Sequence, residues 1–306
     1  MRLNLQTWLS LGLIFLAPVA VWMDLSFILV CLLLLAGFVL KRYLTFSEFR
    51  NPADTPLILE SISASHYVEK VRWCLDRAKI PYQEQPDIGI LGVLLKGRMV
   101  PTLHIPGSGR LSNSSQILRF LWGSAQDRNA VAFLAPSKEA TDLEVKFDLY
   151  GEHLRRWGYH HILQDPEASK TFWGAHDQKI PGWQRHALPL LFPLLRAALM
   201  PILQINDRSA ARSLAKVHEV FDEVDALLAD GRAYLLGGDA PSYIDLTWAA
   251  LSGVLLAPEQ YGNGTIDSVR PKLELFPQMV REEVEHLRTR PAGVFAMKIY
   301  EEERHR

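Results

Sequence analysis

Between Trp8 and Leu40 the chain carries a single charged residue, Asp24. As one helix this run would be about 50 Å long, at ~1.5 Å per residue. That exceeds a hydrocarbon core of ~30 Å. Two short spans fit it better: Trp8–Met23, interrupted by Pro18, and Leu25–Leu40, with the turn near Asp24. Arg2 precedes the first span, and Lys41, Arg42 and Arg50 follow the second. The positive-inside rule then puts both ends in the cytoplasm. A signal peptide followed by one anchor, or a wholly soluble chain, are the other readings. Against the signal peptide, Arg2 is its only n-region charge and no A-x-A site follows. Residues 1–50 are therefore expected to be a membrane anchor. Residues 51–56 (NPADTP) form a linker kept extended by two prolines.

The remaining length is enough for two globular domains in a chain of 306 residues. A formal charge of −1 argues against a general nucleic-acid binder, which would carry a clear basic excess. Cys31 and Cys74 are too few for a disulfide framework or a metal cage. A reducing compartment suits the soluble part.

Leu57-Ile58-Leu59 reads as a buried strand, and a loop of small polar residues, Ser61 to Ser65, follows it. Val68, Val71, Leu75 and Ala78 then recur at helical spacing, which predicts a helix from about Tyr67 to Lys79. Strand, loop and helix start together gather free N–H groups and the positive end of a helix dipole. Ser65 stands at that point, either as an N-cap or as a reactive hydroxyl. Ser61 and Ser63 compete with it, but Ser65 directly precedes the helix. A second strand is expected near Ile80–Gln83, and a short helix over Ile88–Leu95. Val100-Pro101 leads into a further strand, and Pro106–Gly109 is a strong turn before an edge strand at Arg110-Leu111. Leu111 to Leu121 is a polar helix start followed by an apolar face.

In order and spacing these pieces resemble the N-terminal thioredoxin-like domain of the glutathione transferases. In that family a Ser, Cys or Tyr lies near the start of the first helix. A Val-Pro pair with a cis proline precedes the third strand, and an acid or Gln followed by Ser begins the third helix. Ser65, Val100-Pro101 and Asn113-Ser114 stand in those places here. The resemblance covers roughly residues 56 to 300. It implies an α/β thioredoxin-like domain over 57–124, then an all-α domain over 137–306, preceded by the transmembrane helices.

The resemblance also implies glutathione as co-substrate, with no metal. Ser65 would hydrogen-bond the thiolate. The backbone of Val100, held by Pro101, would pair with the peptide part, and Asn113 and Ser114 would take the γ-glutamyl end. Expected partners are glutathione, a hydrophobic electrophile and membrane lipid, with a homodimer by resemblance alone and no nucleic acid. The soluble domains would face the cytoplasm. A non-catalytic binding or scaffold protein at the membrane is the other reading. Asn113 favours it, because Asn replaces the usual acid or Gln. So does His66, which stands where many relatives have proline; it is expected to be an exposed loop residue or a charge beside the thiolate.

Arg72 and Arg119 read as solvated arginines, with help in carboxylate binding as the alternative, and Cys74 as a small apolar residue inside the helix, with a redox role as the lesser reading. His160 and His161 are adjacent and so do not share a helix face, which leaves a metal site poorly supported. Farther along, Asp142–His153 and Asp207–Ala229 read as amphipathic helices. Leu188–Leu203 is very apolar despite Arg196 and three prolines. It is expected to be a buried or membrane-apposed helix pair, with a third span as the alternative. Ser242 and Asp245 read as a structural capping box before an apolar helix, Leu246–Leu256. Arg290 to Tyr300 reads as a terminal helix, with Glu301 to Arg306 as its frayed tail.

Overall fold

The computed structural model describes residues 56–89 and 100–305, together with Leu32 and Ala36. The expected hairpin in residues 1–50, most of the linker and most of the expected Ile88–Leu95 helix lie outside the described residues.

Four strands form one sheet: β1 (Leu57–Ser61), β2 (Tyr82–Pro86), β3 (Thr102–Ile105) and β4 (Gly109–Leu111). Their order is β2-β1-β3-β4. β1 and β2 run parallel, with Leu57 opposite Tyr82. Parallel strands need a crossover, and α1 (His66–Arg77) supplies it. β3 lies antiparallel to β1, with Leu59 opposite Leu103. β4 closes the edge as a hairpin with β3, turning through Gly107 at φ +70 and Gly109 at φ +117. α2 (Ser114–Ser124) follows. This mixed sheet with its helices is the arrangement expected of a thioredoxin-like unit.

Helices make up most of the rest. They are α3 (Lys138–Ile162), α4 (Pro166–Phe172), α5 (Gly182–Ile202), α6 (Asp207–Leu228), α7 (Tyr243–Leu256), α8 (Gln278–Thr289) and α9 (Pro291–Glu303). A single apolar cluster runs from Leu59, Val68 and Trp73 near the sheet to Phe147, Phe221 and Trp248 among the helices. α7 is its centre. Nearly every α7 residue is buried, as its all-round apolar sequence requires. Ser242 and Asp245 start it with a capping box. Asp245 Oδ2 accepts from Ser242 N at 2.7 Å, and Asp245 Oδ1 accepts from Leu235 N at 2.7 Å.

Three expectations need correcting. Leu188–Leu203 is not a helix pair: Leu188–Ile202 belongs to one helix, α5, which holds Pro189, Pro193 and Pro201 inside it and is capped by Leu203. Each proline removes an N–H donor. Packing outweighs that loss: Leu188, Phe192, Leu195 and Leu199 build a second cluster with Ile88, Leu163, Trp173 and Ile180. Among the described residues no single helix is long and apolar enough to cross a membrane. α5 and α6 would do so only as a pair, bent by 65°.

The tail after Tyr300 is not frayed. Glu303 and Arg304 are buried against α1. Arg304 Nε donates to Glu69 Oε1 at 2.8 Å, and Nη1 donates to Asp76 Oδ2 at 2.9 Å.

Arg72 is not solvated either. It is fully buried, donating to Glu69 Oε2 at 2.6 Å and Glu84 Oε1 at 2.7 Å. Burial alone would raise the Glu69 pKa, but the Arg304 and Arg72 guanidiniums outweigh it and hold it low. A buried carboxylate survives only with such partners. Arg119 is one-third exposed and pairs with Glu144.

Candidate active site at the end of the sheet

Strand directions bring the candidate residues together. β1 and β2 both end at one edge of the sheet, at Ser61 and Pro86. β3 starts at that same edge, with Thr102 opposite Glu60, so Val100-Pro101 lies beside the end of β1. The Val100–Pro101 bond is cis, as expected. β4 returns to this edge, where Leu111 faces Leu103, and Thr102 Oγ1 donates to Ser112 Oγ at 3.1 Å. The loop before α1, the Val100-Pro101 pair and the start of α2 are therefore neighbours.

Ser65 is the N-cap residue of α1, extended at φ −70 and ψ 126. Its N–H donates to Ile62 O and its carbonyl accepts from Glu69 N, both at 2.9 Å. Its hydroxyl makes no cap bond to the helix. The competing serines are committed elsewhere. Ser61 Oγ donates to Glu84 Oε1 and Ser63 Oγ donates to Asp177 Oδ2, both at 2.6 Å. Ser65 thus precedes the unsatisfied N–H groups of the first α1 turn with its hydroxyl unused by that helix.

Asn113 is the N-cap of α2, and its side-chain oxygen accepts from Gln116 N at 3.1 Å. Ser114 is the first helical residue and is buried. Behind it, Lys70 Nζ is fully buried and reaches Glu144 Oε1 (2.9 Å), Asp148 Oδ1 (3.0 Å) and Ser115 Oγ (3.2 Å). Three acceptors satisfy its three donors. Ser115 Oγ donates in turn to Asp148 Oδ2 at 2.7 Å. This network fixes the start of α2 against α1 and α3. Periodicity did not reveal Lys70, since it sits on a helix that the pattern reads as having a polar side.

His66 departs from both expectations. It is buried, and burial together with the Arg155 guanidinium pushes its pKa down to about 3. It is therefore neutral and supplies no charge to this site. Its Nε2 has no hydrogen-bond partner, and Gly151 passes so close that a Cβ there would lie 3.1 Å from it. Arg155 is the cation whose field reaches both His66 and Tyr67. Sequence reasoning did not single it out, because it lies on α3.

The linkage sign follows from the depressed pKa. An unfolded His takes its proton near pH ~6.5, while the folded one takes it only near about 3. Stability should therefore fall as pH drops from ~6.5 towards about 3. Between about pH 7 and about pH 5 this side chain accounts for about 2 kcal/mol. Urea midpoints at both pH values should show His66→Gln losing that part of the slope. An unchanged slope would mean that other groups carry it.

A segment from the helical region packs on the chain just past the end of β2. Trp173 O accepts from Gly89 N at 2.8 Å. Gly89 has φ +37, and a Cβ there would meet the Trp173 ring at 2.6 Å. Gln184 on α5 accepts from Ile88 N at 2.7 Å and donates to Asp87 Oδ1 at 2.6 Å. Cys74 is buried, and burial pushes its thiol up to about 12, so it is an unreactive thiol. Among the described residues no three His, Cys, Asp or Glu side chains are placed to hold a metal ion.

No family model matches this chain, and no curated protein does. Among solved structures it is similar to a glutathione S-transferase from Methylobacterium radiotolerans in complex with glutathione sulfonate. The identity is 18%, over 79% of this chain and 95% of that one, with a TM-score of 0.41. It is also similar to the glutathione S-transferase of Ceriporiopsis subvermispora in complex with glutathione, at 17% identity over 81% and 98%, TM-score 0.48. A theta class enzyme from Xanthomonas axonopodis pv. citri with glutathione bound shows 18% identity over 81% and 97%, TM-score 0.35.

Proposed function

We propose that this chain is a membrane-anchored glutathione transferase whose soluble part faces the cytoplasm and acts on hydrophobic electrophiles. The observation that carries the reading is the meeting of three segments at one sheet end. They are Ser65 with an uncommitted cap hydroxyl, the cis Val100–Pro101 bond, and the start of α2 at Asn113-Ser114. A tripeptide thiol suits that arrangement. The Val100 backbone pairs with its peptide group, and the N–H groups of α2 hold the γ-glutamyl carboxylate. Asn113 keeps a second lone pair for the ammonium beyond the one used by Gln116.

The thiol sulfur then lies at the start of α1. The Ser65 hydroxyl donates to the thiolate, and the positive helix end favours the anion. With His66 neutral, the helix end and the Arg155 field are the electrostatic support. The thiolate forms a carbon–sulfur bond to the electrophile, and the leaving group departs with its electron pair. The chain itself contributes positioning and charge stabilisation. The apolar runs of residues 8–40 favour the membrane location, where hydrophobic electrophiles concentrate.

A binding or scaffold role is the second reading. It is favoured by Asn113 Oδ1, which already serves as a helix cap.

The test follows thiolate absorbance of bound glutathione against pH on the full chain in detergent. The bound thiol should titrate below its free value of ~8.5. Ser65→Ala should raise that value by about one to two units and lower kcat/KM roughly 10- to 100-fold, the worth of one hydrogen bond to a charged group. No binding at millimolar glutathione would sink the catalytic reading. Binding with an unshifted thiol would favour the scaffold.

A further inference from the structure

We infer that the outward face of α5 is a lipid-contacting surface, lying in the headgroup layer of an anionic bilayer beside the proposed active site. It rests on the membrane-anchored part of the reading above and not on its glutathione chemistry.

α5 is apolar on both sides. Leu188, Phe192, Leu195 and Leu199 face inward. On the other side Leu190 is 83% exposed, Leu194 67% and Ile202 60%, and Pro189, Pro193, Ala197 and Pro201 are exposed between them. A helix that is apolar all round is normally buried or in a membrane, and a contiguous exposed apolar stripe marks a contact surface.

Charge points to the partner. α5 itself carries no Asp or Glu, and Arg196 is exposed at the edge of the stripe, with Asp207 nearby; Lys179 and Arg185, before and at its start, donate to Thr265 O and Ile180 O. Basic residues around an apolar stripe suit anionic headgroups. The three prolines set the depth. Each proline denies the carbonyl four residues before it, those of Arg185, Pro189 and Ala197, the usual i+4 N–H, which favours a hydrated setting. The face therefore lies at the wet headgroup level and does not cross the bilayer, in keeping with its length and composition.

The chain outside the described residues brings the bilayer within reach. Two apolar runs end at Leu40, and the stretch from Lys41 to Pro56 spans at most about 56 Å, at ~3.5 Å per residue. A tether of this length holds a second contact at high local concentration. α5 is also joined to the active-site edge, since Gln184 bonds to Asp87 and Ile88 just past the end of β2. An apolar electrophile dissolved in lipid would arrive next to that edge.

The test uses the full chain with Cys31→Ser, reconstituted in vesicles of phosphatidylcholine and phosphatidylglycerol. A fluorophore is placed at Ala197→Cys on this face, or at Glu282→Cys on α8 as a control. Lipids with brominated acyl chains should quench the 197 label at least about two-fold more than the control. Leu190→Glu with Leu194→Glu should abolish the difference; both side chains are solvent-exposed, so the fold survives. Equal quenching while the chain still floats with the vesicles would overturn this inference and leave the anchor standing. A chain that does not float would sink both. A 197 label shielded from aqueous iodide but not quenched by lipid would mean that another protein surface covers α5, and would also overturn it.

Discussion

Arg304→Met should destabilise the protein by about 3–5 kcal/mol, the usual cost of breaking a buried ion pair from one side. Glu69 is wholly buried and takes one of its guanidinium contacts from Arg304 at 2.8 Å. The same side chain holds Asp76 and lies over the Trp73 ring, 5.3 Å from its centroid. Without it, Glu69 keeps Arg72 and the Gly262 N–H but loses half of its cationic support. Thermal unfolding in detergent should show a midpoint lower by about 10 °C. Lys298→Met, exposed on the helix that Arg304 caps, is the control and should shift it little. If the two variants melt together, the Arg304 network contributes nothing net.

The second large effect is expected at Asp245. Its carboxylate accepts from Leu235 N, Ser242 N and Ser242 Oγ, each at 2.7 Å. Asp245→Ala leaves the Leu235 N–H buried without an acceptor and opens the cap of the helix at the centre of the core. Of the three donors, the two backbone N–H groups cannot turn elsewhere, and at about 1–3 kcal/mol each they give a loss of about 4 kcal/mol. Asp245→Asn should recover only part of it, because the amide presents a donor to one of the two N–H groups. Ser242→Ala, which leaves the Leu235 bond intact, should cost about 1 kcal/mol. Guanidinium unfolding midpoints rank the three. An alanine variant no worse than Ser242→Ala would place the weight of the cap on the serine.

The readable parts of this chain were those carried by local patterns. The β1 run, the helix after Ser65, the turn at Pro106–Gly109 and the Ser242–Asp245 box each express a short-range rule, and the structure has them. What local patterns cannot carry is the distant partner. Arg72 looks like a solvated arginine until Glu84 and Glu69 are placed beside it, and Arg304 looks like a loose tail until α1 is. His66 misled for the same reason: its burial is made by Gly151 on α3, which only the tertiary fold brings near. α5 misled in the opposite way. Its prolines argue locally for a break, and the cluster around Trp173 and Phe192 overrides them. Of the candidate site, the helix starts at Ser65 and Asn113-Ser114 and the cis Val100–Pro101 bond were legible. The cap bond that occupies the Asn113 oxygen was not.

The Glu69–Arg304 bond joins residues 235 positions apart. Ribosomes make roughly 5–20 residues per second, so the cation follows its anion by on the order of tens of seconds. For that interval Glu69 has emerged with one of its two guanidinium partners still unmade. The charge network of α1 is complete only when Arg304 arrives. A messenger cut short anywhere before Arg304 therefore yields a product whose proposed glutathione pocket carries its own defect, and the defect lies in the part that was already translated.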